Sequence, residues 1–464
     1  MKNNSYESVM ARKNEIMKSA VGINYEKYEI EGISFDYEKM MAEVGYSLDE
    51  IRSIQNETCV GSTPLVELKN INTLVKAISK PGKGARIFLK DEAANPSGSF
   101  KDRRASVSIY QAQKQGYKGV IAATSGNYGA GVASQAAKRG LQCIIVQETF
   151  DSKGIGQPEI IEKARACEYY GSEVVQLTVG PELFYYFLVL LEETGYFNAS
   201  LYTPFGIAGV ETLGYEISTQ MKQLTGKDPD CVVVTHAGGG NLTGTARGLM
   251  KAGATDTKVI GASVDLFGLH MASDKDFNRK SFTTGHTGFG IPFATFPDRS
   301  DVPRNAARVL RYMYDYLLVT QGEVFYVTEL LAQLEGLLRG PAGNTSLCAA
   351  ISLAREMDSD QTIVVQETEY TGAGKSPYPQ LNFAKSNGIE ISRGNPEESV
   401  PGKSIVIPSH PELLSIKRYS MGKMKQSYVK QAKKNYKKED FSQREKIFIS
   451  EDINMPLEEL EKIL

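Results

Sequence analysis

The run Pro96-Ser97-Gly98-Ser99-Phe100-Lys101-Asp102-Arg103-Arg104 lies between the apolar residues 87–89 and the helix-compatible residues 105–115. It puts a lysine among small residues, beside a bulky phenylalanine, where a helix begins. The positive end of the helix dipole and partial burial both disfavour an ammonium, so the pKa of Lys101 is expected to fall. A lysine with a depressed pKa is a nucleophile towards carbonyls and can form a Schiff base. A solvated lysine in a polar loop is the competing reading.

Two further turns bear on that choice. Thr124-Ser125-Gly126-Asn127-Tyr128-Gly129 follows a β-like run, Gly119-Val120-Ile121-Ala122-Ala123, and precedes a small-residue helix at 130–137. That helix stops at Gly140, and residues 141–146 resume as a strand. The turn therefore sits at the carboxyl end of a strand, where open α/β sheets bind ligands and helix-start N–H groups favour anions. An ordinary capped turn uses the same residues. The third turn is His236-Ala237-Gly238-Gly239-Gly240-Asn241-Leu242-Thr243-Gly244, after the strand-like residues 231–235. Three consecutive glycines allow the close backbone approach and unusual dihedrals of a phosphate-cradling loop. The run matches neither a Walker A motif nor a G-x-G-x-x-G fingerprint.

Positioning these turns takes a framework, and the 464 residues are enough for two or more lobes. Strand-like runs at 232–235, 259–264 and 362–366 alternate with helices, which predicts an α/β fold with mostly parallel sheets flanked by helices. Residues 1–60 are polar with helix-like stretches at 37–44 and 48–55, and are expected to pack as an extension on the larger lobe. The net charge of −2 gives no global drive towards nucleic acid or anionic membrane. The apolar run 184–191 is too short to span a bilayer. The amino terminus has no apolar signal core, which makes cytoplasm the expectation. Five scattered cysteines (59, 143, 167, 231 and 348) and four dispersed histidines (236, 270, 286 and 410) imply no disulfide framework and no metal. Cys143 and Cys231 read as strand packing; His236 borders the glycine loop and is read as structural or as a cofactor contact. From 417 to 438 there are nine Lys or Arg and no acid, interleaved with Tyr419, Tyr428 and Tyr436. An acidic, helix-like finish follows at 451–464. The tail is either a solvated helical extension or a segment that binds anions or docks a partner.

An amine, an amide-bearing anion loop and a glycine loop, each after a strand, resemble the fold type II pyridoxal-phosphate enzymes, the threonine synthase and tryptophan synthase β-subunit superfamily. The resemblance runs over residues 61–379 and opens with Gly61-Ser62-Thr63-Pro64-Leu65, which is similar to the family's G-x-T-P-L motif. It implies two lobes: a large cofactor-binding lobe from 61–104 and 200–410, and a small lobe from 105–199, with 411–464 as a basic extension. It implies pyridoxal 5'-phosphate as cofactor, with Lys101 as the lysine that carries it and later moves protons. By the same resemblance Asn127 contacts the phenolic oxygen, and Gly238, Gly239, Gly240 and Asn241 hold the phosphate. Ser125 and Gly126, with Asn127, receive the substrate carboxylate. Thr371 matches the hydroxyl facing the pyridine nitrogen, although Thr368 lies nearby. Glu335-Gly336 to Pro341-Ala342-Gly343-Asn344 resembles another family stretch, and a helix cap accounts for it as well.

Within the superfamily, the S-G-S-F-K-D-R-R-A variant, the triple glycine and the long basic tail resemble the two-subunit thiolases of ornithine fermentation. That resemblance implies 2-amino-4-oxopentanoate and coenzyme A, or D-alanine and acetyl-CoA, as substrates. It also implies a small α-subunit as partner, in a hetero-oligomer containing a homodimer of this chain. A threonine synthase-like lyase or replacement enzyme, and a non-catalytic cofactor-binding scaffold, are the alternatives.

Overall fold

The computed structural model describes residues 3–124, 126–266, 301–372 and 374–464. Ser125, His270 and His286, named above, lie outside the described residues. Strands form where apolar, β-branched residues run without interruption. Cys231–Thr235 and Thr362–Glu367 are buried along their whole length, as strands covered on both faces must be. The larger sheet has seven strands in the order Lys417–Arg418, Asp315–Val319, Lys258–Val264, Cys231–Thr235, Thr362–Glu367, Arg86–Asp91 and Leu65–Glu67. The five inner strands are parallel and the two edge strands antiparallel. The smaller sheet has four parallel strands in the order Glu173–Thr178, Gln142–Phe150, Gly119–Thr124 and Phe197–Asn198. The chain thus has the α/β architecture expected, with two lobes, each built on a mostly parallel sheet flanked by helices.

The helix Lys101–Lys114 starts at the lysine itself, four residues earlier than the apolar pattern suggested. Its first turn is polar, so periodicity could not locate it; Ser99 Oγ accepts the Lys101 backbone N–H at 3.3 Å. The long helix Pro204–Thr225 packs directly on it. The approach is so close that a Cβ at Gly209 would fall 2.0 Å from the Arg103 carbonyl oxygen.

The terminal segments meet. Helices Tyr6–Ala11 and Lys13–Val21 lie against helix Glu182–Thr194 of the smaller lobe, where Arg12 pairs with Glu192 at 2.6 Å. Further along, Phe35 and Tyr37 pack on each other and Tyr37 stacks on Phe448 of the tail. The basic tail is not a free extension. Its residues Lys417–Arg418 complete the larger sheet, and helix Met421–Tyr436 buries Met424, Tyr428, Val429 and Ala432. The acidic finish is two helices, Gln443–Asp452 and Leu457–Glu461, and Asp452 pairs with the buried Arg308. Among the described residues no helix is long and apolar enough to cross a membrane.

Candidate active site

Three neighbouring strands of the larger sheet, Cys231–Thr235, Thr362–Glu367 and Arg86–Asp91, each release at their carboxyl ends a segment singled out above. These segments are 236–241, 368–375 and 96–101. The fourth, 124–127, leaves the carboxyl end of Gly119–Thr124 in the smaller sheet. Four loops therefore converge between the two sheets, on the side where parallel sheets present ligand sites. Backbone bonds stitch two of them together: Phe100 N–H donates to Thr368 O at 3.2 Å, and Tyr370 N–H to Gly98 O at 2.7 Å. Gly98 has φ +76°, and a Cβ there would meet the Tyr370 ring at 2.3 Å, so no larger residue fits this stitch.

Lys101 is half-buried, with Nζ 4.3 Å from the centroid of the Phe100 ring. Burial holds its pKa well below the usual lysine value; the charges of Arg104 and Lys163 push it the same way, and Glu369 opposes them. The direction is the one the sequence predicts, although nearby cations contribute as well as burial.

Two other lysines belong to the same site, and sequence spacing missed both. Lys375 is fully buried; its Nζ donates to Glu369 Oε2 at 2.7 Å and to Asn127 Oδ1 at 2.8 Å. Burial lowers its pKa against the attraction of Glu369. Asn127 Nδ2 donates to the same Glu369 oxygen, so both ends of its amide are engaged. Lys163 pairs with Glu159 and lies 3.9 Å from Glu369. Burial works against its charge, but Glu159 and Glu369 outweigh that and raise its pKa. The Lys163 side chain also fills the space beside Gly126, where a Cβ would come 3.1 Å from Nζ. Glu162 accepts from the Tyr370 hydroxyl at 2.9 Å and from Gly374 N–H. Residues 127, 159, 162 and 163 come from the smaller lobe and 369, 370, 374 and 375 from the larger, so this network bridges the two. The T-G-A-G-K run at 371–375 was the one sequence cue to Lys375.

The glycine loop opens helix Gly240–Lys251, with Gly239 at φ +81°. Side chains would collide at all three glycines: with the Tyr202 hydroxyl at 238, Val309 at 239 and the Arg104 guanidinium at 240. Asn241 Nδ2 and Thr371 Oγ1 are buried and have no hydrogen-bond partner among the described residues. The nearby Thr368 is used differently: its carbonyl caps Phe100. His236 lies edge-on to the Tyr316 ring at 5.3 Å and receives a Ser263 hydroxyl on its carbonyl at 2.7 Å, contacts of a packed residue.

Other residues of the motifs hold the loops in place. Arg103 is fully buried, pairing with Glu92 at 2.6 Å and Glu216 at 2.8 Å. Thr63 donates to Glu92 at 2.6 Å, and Lys90 donates to the Thr63 carbonyl at 2.6 Å and to Glu216 at 2.7 Å. Segment 61–64 is thereby tied to the helix that carries Lys101. Asp102 accepts from Ser97 N–H at 2.6 Å, and burial raises its pKa to about 7. Gly336 ends helix Gln321–Glu335 in the left-handed conformation, and the Glu335 carboxylate accepts the N–H groups of Asn70 and Ile71. The capping reading of that stretch holds. Cys143 and Cys231 are buried in strands, as expected.

The family model for pyridoxal-phosphate dependent enzymes matches residues 57–369. The chain belongs to this family. Its cofactor is pyridoxal phosphate. Beyond the family core, the chain is 65% identical over 451 residues to a 2-amino-4-ketopentanoate thiolase beta subunit from an unknown prokaryotic organism, covering 97% of this chain and 96% of that protein. It is 67% identical over 435 residues to the 2-amino-4-ketopentanoate thiolase beta subunit of Acetoanaerobium sticklandii, covering 94% and 92%. Among solved structures, maize serine racemase superposes with a TM-score of 0.53 over 73% of this chain and 98% of that one, at 21% identity, a likeness of fold.

Proposed function

We propose that the chain is the β-subunit of a pyridoxal-phosphate thiolase in the cytoplasm. It would interconvert 2-amino-4-oxopentanoate and coenzyme A with D-alanine and acetyl-CoA, working with a small α-subunit. One observation carries this reading: the identity to the two thiolase subunits covers 97% and 94% of the chain, including most of what lies outside the family match at 57–369. Both terminal extensions, which pack against each other through Tyr37 and Phe448, are therefore part of the likeness.

The residues present fit the cofactor. A loop with no room for side chains suits a phosphate, and the unpartnered Asn241 Nδ2 and Thr371 Oγ1 are polar atoms in want of a ligand. Lys101 is the amine to join the cofactor's aldehyde, Asn127 the neighbour of its phenolic oxygen, and Gly238, Gly239, Gly240 and Asn241 the phosphate cradle. Thr371 would be the partner of the ring nitrogen, and a neutral hydroxyl there would leave that nitrogen largely unprotonated. Ser125 and Gly126 receive the substrate carboxylate. When bound, pyridoxal phosphate supplies an electron sink for charge on carbons next to the substrate amine.

The protein's own groups do the rest. Lys101, released as a free amine, takes the proton from Cα and returns one to the alanine product. Its depressed pKa keeps it in the base form. The thiol of coenzyme A attacks the C4 carbonyl, the C3–C4 bond breaks, and the acetyl group leaves on sulfur while C3 gains a proton. The four buried thiols do not suit this step: burial pushes the pKa values of Cys143, Cys167 and Cys231 up to about 12, and that of Cys348 well above the usual thiol value.

The test uses the purified chain with its small partner. Acetyl-CoA and D-alanine together should release the coenzyme A thiol, detected with a chromogenic disulfide, only when both subunits are present. Threonine formation from O-phosphohomoserine, or full thiol release by this chain alone, would contradict the proposal.

A further inference from the structure

Arg104 lies one turn after Lys101, on the same face of the helix, and is 2% exposed. Its guanidinium fills the space in front of Gly240, where a Cβ would stand 2.4 Å from Nη2 and 2.7 Å from Cζ. Nη2 donates to the Leu201 carbonyl, while Nε is buried without a hydrogen-bond partner. Among the described residues no carboxylate pairs with it; Asp301 acts on it only at longer range, one of its oxygens being held by Ser200 Oγ at 2.7 Å. The rings of Tyr128 and Tyr202 adjoin it, with centroids 6.0 and 5.7 Å away. The Tyr202 hydroxyl stands before Gly238 just as the guanidinium stands before Gly240.

A buried guanidinium without a counter-charge is costly, and several kcal/mol is the usual scale. Here it stands at the start of a twelve-residue helix, whose free N–H groups also favour an anion, and the Asn241 Nδ2 of the same helix start is buried without a partner. We propose that Arg104 is the cationic member of the phosphate cradle, donating charge-assisted hydrogen bonds to the cofactor phosphate alongside the glycine-loop N–H groups. The lowered pKa of Arg104, caused by burial, agrees with a site that awaits an anion. Its charge is also the largest electrostatic influence, after burial, holding down the pKa of Lys101. One cation thus both anchors the cofactor and tunes the amine that carries it.

The proposal rests on the glycine loop being the phosphate site, and the experiment separates the two claims. Cofactor-free wild type, Arg104→Met, Arg104→Gln, Arg104→Lys and Gly239→Asp are titrated with pyridoxal phosphate and with pyridoxal, which lacks the phosphate. The visible band and the ³¹P resonance of the bound cofactor are followed. Arg104→Met and Arg104→Gln should weaken pyridoxal phosphate roughly 10- to 100-fold more than they weaken pyridoxal, the scale of a charged hydrogen bond; any effect through the Lys101 amine is common to both ligands. Arg104→Lys should recover most of the loss. Gly239→Asp should abolish the preference for the phosphorylated form. If Gly239→Asp does so but a folded Arg104→Gln or Arg104→Met binds pyridoxal phosphate like wild type, the Arg104 proposal falls and the loop reading stands. If Gly239→Asp binds like wild type, the loop reading falls and takes the Arg104 proposal with it. Should the Met variant fail to fold, the contrast between Gln and Lys decides.

Discussion

Three lysine amines, those of Lys101, Lys163 and Lys375, meet at one site, and their surroundings sort them. Lys163 and Lys375 are each paired with a carboxylate, at Glu159 and Glu369, whereas Lys101 has an aromatic ring and two cations for neighbours. Lys101 is therefore the amine most easily uncharged. Its folded pKa lies below the unfolded value, so between the two the unfolded chain binds more protons at this group and the contribution of Lys101 to stability rises with pH. Buried thiols and phenols with raised pKa values act the other way, so the difference is what reads it: in urea unfolding of the cofactor-free proteins, wild type should gain stability relative to Lys101→Met as pH rises through the alkaline range. With cofactor and partner present, activity should fall as pH drops through the lowered pKa. Lys101→Ala should lose at least on the order of 10²–10⁴ in turnover. Asn127→Ala should retain cofactor but shift its absorption and slow the reaction, because it frees both Glu369 and Lys375 from the amide they share. Spectra and turnover of the same preparation check both halves of that expectation.

At the scale of the element, the helix Lys101–Lys114 delivers Lys101 and Arg104 to the site on one face and is locked by Arg103 on another. Removing one partner of a buried ion pair typically costs about 3–5 kcal/mol. Arg103→Met should lower unfolding free energy by that amount in urea titration. The Glu216 carboxyl, beside Arg103 and Lys90, is held far below its ordinary pKa despite burial. Its contribution is present above pH 4.5 and is lost as pH falls below that, so wild type should lose more stability on acidification than Arg103→Met. The same elements explain what was legible in the sequence. Uninterrupted β-branched runs such as 231–235 mark buried strands, and the glycine-rich turns behind them mark ligand loops, because each signal is local. The inter-lobe network of Asn127, Lys163, Glu369 and Lys375 was not legible. Its members lie up to 248 residues apart, and the folded sheets alone bring them together. The apolar pattern began only at residue 105 for another reason: a buried polar turn carries no apolar period, and the placing of Lys101 at a helix start came from the small residues before it.

Over the whole molecule, the amino-terminal segment and the tail pack into each other, and truncating the tail would strip Tyr428, Phe448 and Ile449 out of the core and uncover Tyr37, on which Phe448 stacks. Deletion is therefore a test of folding and not of partnership. On helix Met421–Tyr436, Lys423, Lys430 and Lys434 are exposed and share one face by their spacing of seven and four. Replacing all three with Glu should leave the fold and cofactor band intact. It should weaken association with the small subunit, or raise the coenzyme A requirement, more at low salt than at high salt. Titration of one subunit with the other by light scattering, at two ionic strengths, reads the first effect and initial rates read the second. Unchanged assembly and rates at both salt concentrations would place these lysines outside any interface.

The central claim is that Lys101 carries the cofactor in a site shared by two other buried lysines. Borohydride reduction of the intact holoprotein, followed by peptide mapping, tests it most directly. The expected result is bleaching of the visible band and a single pyridoxyl label on the peptide containing Lys101. A label on Lys163, Lys375 or any other lysine would contradict it, as would a protein that stays colourless with excess pyridoxal phosphate.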